Sequence, residues 1–129
     1  MNTIIGLMTG LQNSLLTGPQ YLLDDYKKID KTAGVYCLYH DRTLVYIGKA
    51  KTDLRARMSI HYRKLKASKI DLSEMTFSTM PACEYLSLGA EQYMIDTIKP
   101  KWNFSGFGSN AHGKGRPKQK LSEWVKLYG

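Results

Sequence analysis

The chain has 129 residues, enough for one domain with a single core and too few for two. Nineteen Lys and Arg against eleven Asp and Glu give a formal net charge of +8, which favours a polyanionic partner and argues against an acidic-patch protein or a neutral-metabolite binder. Cys37 and Cys83 suggest neither a metal-binding pair nor a disulfide scaffold, so a reduced, cytoplasmic protein is expected.

Residues 1–32 read as a helical lead-in. Ile4, Ile5, Leu7 and Met8 are apolar, but no basic n-region precedes them, and Gly6, Gly10, Asn13 and Ser14 interrupt the run well short of a membrane span. Pro19 marks a helix start, and Tyr21, Leu22, Tyr26 and Ile29 recur at helical spacing, which predicts a short helix before the first strand. Two β-prone runs then flank a polar turn: Val35 to Tyr39, the turn His40-Asp41-Arg42-Thr43, and Leu44 to Ile47. With a period of two, Tyr36 and Leu38 face one way and Cys37 and Tyr39 the other, so Tyr36 and Tyr46 share a face only in a suitable register.

Asp53 is a good N-cap, and Leu54, Met58, Ile60 and Leu65 predict the buried stripe of a helix ending near Ala67. Arg57 and His61, four apart, share a face of it. Met75 to Met80 predicts a third strand. After Pro81, the residues Tyr85, Leu88, Met94, Ile95 and Ile98 outline a second long helix that stops at Lys99-Pro100. Residues 105–129 form a basic Gly-rich loop and a tail of the same domain. The reading is therefore a single α+β domain.

The positive charge is clustered. From Asp41 to Lys66 eight basic residues face two acids, and from Lys99 to Lys120 six face none. Lys51, Arg55, Arg63, Lys64, Lys101, Lys114 and Arg116 in these segments are the candidate phosphate contacts, with DNA, in duplex form, as the expected partner.

Gly34-Val35-Tyr36 and Tyr46-Ile47-Gly48, with nine residues between the two tyrosines, followed by Arg57, His61, Glu91 and Lys99-Pro100-Lys101-Trp102-Asn103, resemble the motif series of the GIY-YIG nuclease family. The resemblance covers residues 33–104, the expected nuclease core. It implies a small three-stranded antiparallel sheet flanked by helices, one divalent metal, and cleavage of DNA by water. It picks Glu91, rather than Glu84 one helical repeat earlier, as the metal-binding carboxylate. Trp102-Asn103, Gly106-Phe107-Gly108, Gly113-Lys114-Gly115-Arg116 and Ser122-Glu123-Trp124 resemble the C-terminal elements of the family's type II restriction endonucleases, in a compact form without their insertions. Tyr46-Ile47-Gly48-Lys49-Ala50-Lys51 also resembles the incision nuclease of bacterial excision repair.

Hydrolysing a phosphodiester needs a base for water, positive charge on the non-bridging oxygens and a Lewis acid near the leaving oxygen. The expected catalytic set is Tyr36, Tyr46, Arg57, His61, Glu91 and Asn103, with Lys49 in support. A phenol with a pKa of about 10 must drop by roughly 3 units to act as base at neutral pH, with Lys49, Arg57 and His61 as the candidate sources of that shift. Arg57 suits the phosphate, because its planar fork grips two oxygens. His61 orients a tyrosine or protonates the leaving group, and Asn103 fixes backbone or phosphate. Glu91 is the expected ligand of Mg²⁺, or Mn²⁺, completed by water and substrate oxygens. The expected protein is a metal-dependent DNA endonuclease of restriction or defence type, monomer or homodimer, without a membrane association. The alternatives are a catalytically silent or repair-type nucleic-acid-binding module and a toxic effector nuclease.

Overall fold

The structure is a computed structural model that describes residues 10, 12, 13 and 15–104. The Gly-rich loop and tail, with Lys114 and Arg116, lie outside these residues, as does most of the N-terminal apolar run.

The chain folds as a small α+β domain in which a four-stranded antiparallel sheet carries two main helices. The strands are β1 (Tyr21–Leu22), β2 (Gly34–His40), β3 (Thr43–Ala50) and β4 (Met75–Pro81), and they lie in the order β1-β4-β2-β3. The helices are α1 (Leu54–Ala67) and α2 (Glu84–Ile98).

The fourth strand corrects the expected three-stranded sheet. Residues 15–17 are helical, but the chain leaves the helix at Gly18-Pro19, where the ring of Pro19 disfavours helical geometry at the residue before it. Tyr21 and Leu22 instead pair with Phe77 and Thr76 of β4, and the Gln20 side chain accepts a hydrogen bond from Thr76 Oγ1 at 2.8 Å. The predicted helix over Tyr21 to Ile29 is thus a short strand and a 3-10 helix, Leu23–Lys28. Of the residues whose spacing suggested a helix, Tyr21 and Leu22 are exposed on the edge strand, while Tyr26 packs against the core and Ile29 is buried in it.

The β2–β3 hairpin turns on two residues rather than the four-residue polar stretch. Asp41 and Arg42 both have positive φ, 49° and 68°, and His40 pairs with Thr43 across them. Two left-handed residues give a turn whose twist matches that of the flanking strands. Leu38 lies opposite Tyr46 but Tyr39 lies opposite Leu44, so Val45 is the extra residue of a bulge. The bulge breaks the expected alternation in β3, and Val45 and Tyr46 pack into the same core cluster.

Both faces of the sheet are covered, so β2 is buried from Gly34 through Tyr39 instead of alternating. On one face Tyr36, Leu38, Tyr46, Met75 and Phe77 pack with Leu54, Met58 and Leu65 of α1, with Leu23, and with Trp102. On the other, Val35, Cys37, Tyr39 and Ile47 meet Ala90 and Met94 of α2 and Leu15.

Asp53 caps α1 as expected, its carboxylate accepting from Ala56 N at 2.9 Å. The buried row is Leu54, Met58, His61 and Leu65. Ile60, placed in that row by the sequence, is 46% exposed, and a histidine holds the position that closes the helical repeat. Leu88, expected on the buried face of α2, is likewise exposed, and Ser87, Ala90, Glu91 and Met94 form the buried row. The helix ends at Lys99 in the left-handed region, φ 53°, and Pro100 leads into a 3-10 turn, Lys101–Phe104. No described helix is long and apolar enough to cross a membrane.

Arg42 occupies a turn position that favours glycine. Replacing it by Gly removes about 1–2 kcal/mol of left-handed strain against about 0.4–1 kcal/mol of added unfolded-state entropy. The Arg42→Gly chain should therefore be more stable by roughly 0.5–1 kcal/mol in urea unfolding, and a lower midpoint would contradict the turn geometry.

Candidate active site

Three separated segments meet at the open end of the hairpin. Tyr36 from β2, Tyr46 from β3 and His61 from α1 form a buried ring cluster: Tyr36 and Tyr46 centroids are 6.1 Å apart, Tyr36 and His61 5.3 Å, and Tyr46 and His61 5.5 Å. The Tyr36 hydroxyl and His61 Nε2 make a hydrogen bond of 2.6 Å. The register that allows this puts Leu38 opposite Tyr46 and Tyr36 opposite Gly48, so both phenols stand on the α1 face of the sheet.

Gly48 is the partner that makes room. A Cβ there would overlap the Tyr36 hydroxyl and come within 2.9 Å of the Tyr46 ring, so the Tyr36 side chain lies directly across the glycine. Gly34 has a similar role at the other end of the pair. A Cβ on it would overlap the Met80 carbonyl and reach 2.8 Å from Leu54 Cδ1, where α1 starts against the sheet. Sequence reasoning missed both roles, although an isolated glycine in a strand pattern is a signal of close approach.

Arg57, one turn before His61, is half-buried, and Glu91 on α2 is only 2% exposed. Their charges act with opposite sign on the two phenols. Burial holds the Tyr36 hydroxyl well above its usual pKa; Tyr46 adds to this, Arg57 opposes it, and Glu91 raises it further. Tyr46 is pushed up to about 12 by burial and by Glu91, against the pull of Arg57. This corrects the expectation of a lowered phenol: desolvation outweighs the one nearby guanidinium. His61 moves the other way, from 6.5 to about 3, through burial and the charges of Arg57 and Lys64, so it is neutral at physiological pH.

Asn103 is committed to backbone. Its Oδ1 accepts from Ile47 N and its Nδ2 donates to Ile47 O, both at 2.8 Å, which reproduces the bonds a neighbouring strand would make on the outer edge of β3. Trp102 beside it is fully buried, with the His40 ring 5.8 Å away. Of the two alternatives for Asn103, the structure selects backbone and gives it a positioning role on Tyr46-Ile47-Gly48.

Lys49 pairs with Val35 and therefore leaves the sheet on the face opposite Tyr36 and Gly48. The charges that move the two phenols are those of Arg57 and Glu91, and Lys49 does not join them. Among the expected phosphate contacts, Arg55 donates from Nε to the Ile29 carbonyl at 2.8 Å and so ties α1 to the preceding loop. Lys51, Arg63 and Lys101 are exposed, and Lys64 is half-buried.

Glu91 is the carboxylate expected to hold Mg²⁺. It is a buried carboxylate, and among the described residues no group of three or more His, Cys, Asp or Glu gathers to build a complete protein cage. Such a donor set suits an ion that keeps several waters and takes substrate phosphate oxygens, rather than a four-ligand zinc centre. Cys37 is buried and Cys83 exposed, both as free thiols.

No protein-family model matches the chain, and no curated protein matches it.

Two outcomes follow from the geometry. Gly48→Ala should destabilise the fold by about 1–3 kcal/mol, because the added methyl must displace Tyr36; an unchanged melting temperature would mean the ring has room to move. His61 has a folded pKa below its unfolded one, so the stability it contributes is full above pH 6.5 and is lost as pH falls toward about 3. His61→Gln should flatten that acid limb in denaturant titrations at about pH 7 and about pH 4.5, and an equally steep limb in the variant would place the acid-sensitive group elsewhere.

Proposed function

We propose that the protein is a metal-dependent endonuclease that hydrolyses DNA phosphodiester bonds with the GIY-YIG residue set. The observation that carries this reading is the buried Tyr36–His61 hydrogen bond with Tyr46 packed beside both, from β2, β3 and α1, on whose phenols the charges of Arg57 and Glu91 also act. A buried pair of phenols needs no such company for packing alone, since a buried carboxylate and a guanidinium add desolvation costs that apolar residues would avoid.

With His61 neutral, the tautomer that readies the pair for proton transfer has the Tyr36 O–H donating to the lone pair of Nε2 and the ring proton on Nδ1. Water then gives its proton to the Tyr36 oxygen as the phenol proton moves to His61. The water oxygen bonds to phosphorus, the P–O bond to the leaving oxygen breaks, the departing oxygen takes a proton from solvent water, and His61, whose low pKa drives the proton off, returns its own to solvent. His61 thereby spares Tyr36 a free phenolate, which burial makes costly. Arg57 neutralises the non-bridging oxygens. Glu91 would hold a Mg²⁺ ion, which would supply Lewis acidity and offset the carboxylate charge that raises both phenols. Asn103 holds the β3 edge so that Tyr46 and Gly48 keep their places against Tyr36. The restriction or defence setting rests on the resemblance carried by residues 102–124 and is the finer part of the proposal.

Purified protein with Mg²⁺ should convert supercoiled plasmid to nicked or linear forms, with a rate that climbs toward alkaline pH. Tyr36→Phe should slow this by about 10²–10⁴-fold and Arg57→Ala by about 10²–10³-fold, while Glu91→Ala abolishes cutting and leaves DNA binding in place. A wild-type chain that binds duplex DNA but cuts none across Mg²⁺, Mn²⁺ and varied salt would favour the silent binding module instead.

A further inference from the structure

The helix α1 carries five cations, Arg55, Arg57, Arg63, Lys64 and Lys66, and no acid. At 3.6 residues per turn they fall on different flanks of the buried row Leu54, Met58, His61 and Leu65. One flank holds Arg55, Tyr62 and Lys66 and is occupied by the fold. There Arg55 bonds the Ile29 carbonyl, and Lys66 Nζ sits 5.6 Å from the centre of the Tyr62 ring, itself 5.3 Å from Tyr26 of the preceding 3-10 helix. Arg63 is exposed on the outer side, away from the sheet. The other flank holds Arg57 and Lys64, seven residues apart and so nearly in line, with the exposed Ile60 between them.

We infer that the Arg57, Ile60 and Lys64 flank is the track on which one strand of DNA runs into the site, with Arg57 at the phosphate to be cut and Lys64 at a neighbouring phosphate of the same strand. The inference rests on the nuclease reading and assigns the path of its substrate. Both cations flank the reacting pair on the helix, Arg57 four residues before His61 and Lys64 three after it, and His61 Nε2 bonds the Tyr36 hydroxyl. Seven residues span about 10.5 Å of helix axis, which sets the two side chains to meet separate phosphates. Burial alone disfavours the charge on Lys64, and a phosphate alongside restores it. Ile60 offers apolar contact to the sugars between. A cation in the last turn also complements the helix dipole, but that benefit is shared by Lys66 and does not distinguish the two lysines.

The full chain is titrated with a fluorescent duplex oligonucleotide in EDTA, which prevents cutting, over a series of salt concentrations. Lys64→Met should weaken binding several-fold and make the plot of log affinity against log salt shallower by about 0.9, the share of one phosphate contact. Lys64→Arg should restore the slope, and Lys66→Met should keep it. A wild-type slope in Lys64→Met, or an equal loss in Lys66→Met, overturns the track while plasmid cutting by the wild type leaves the nuclease reading standing. A wild-type chain that binds no duplex overturns both.

Discussion

The molecule is organised around the bond between Tyr36 and His61. It joins the central strand to α1 in the interior, where both side chains are buried. A buried phenol and a buried imidazole would each be costly alone, so the pair satisfies two polar groups at once and fixes where the helix sits on the sheet. That fit depends on Gly48, because the Tyr36 ring crosses the strand at the one position that has no side chain in its way. The proton-transfer pair and the helix–sheet contact are therefore the same interaction, and changes to packing there reach the proposed chemistry directly.

The opposite constraint works along the outer edge of β3. An open edge strand invites pairing with another chain, and here the Asn103 amide occupies the two backbone groups of Ile47 while Trp102 anchors the turn in the core. The same stretch of chain, α2 and the 3-10 turn after it, also carries the buried Glu91. One connection thus seals the sheet, sets the height of Tyr46 and Gly48, and places the carboxylate proposed to hold the metal.

Electrostatics at this centre favour neutral groups at rest. Burial raises both phenols and lowers the histidine, and the Arg57 and Glu91 charges oppose one another on the phenols. On the nuclease reading, positive charge added at Glu91 would offset one of the charges that raise the phenols, and phosphate would take up the Arg57 guanidinium. The cations of α1 divide in the same sense, with Arg55 and Lys66 bound up in the fold and Arg57 and Lys64 beside the centre.

The sequence by itself determined the strong local features: the two β-prone runs of the hairpin, the Asp53 cap and extent of α1, the third long strand before Pro81, and the stop of α2 at Lys99-Pro100. Each is set by near-neighbour chemistry, namely β-branching, a side-chain cap or a proline ring. It also named Tyr36, Tyr46 and His61, which the fold packs against one another. Only the tertiary structure decided the rest. The bulge at Val45 and the register that seats Tyr36 on Gly48 are relations between strands, and the burial of His61 in place of Ile60 depends on which side of α1 meets the sheet. The edge strand Tyr21–Leu22, which reads as helical spacing, exists because β4 offers backbone partners. The shift of the phenols upward rather than downward has the same origin, since desolvation is a property of what is packed around a residue and is absent from the residue's own neighbourhood in the chain.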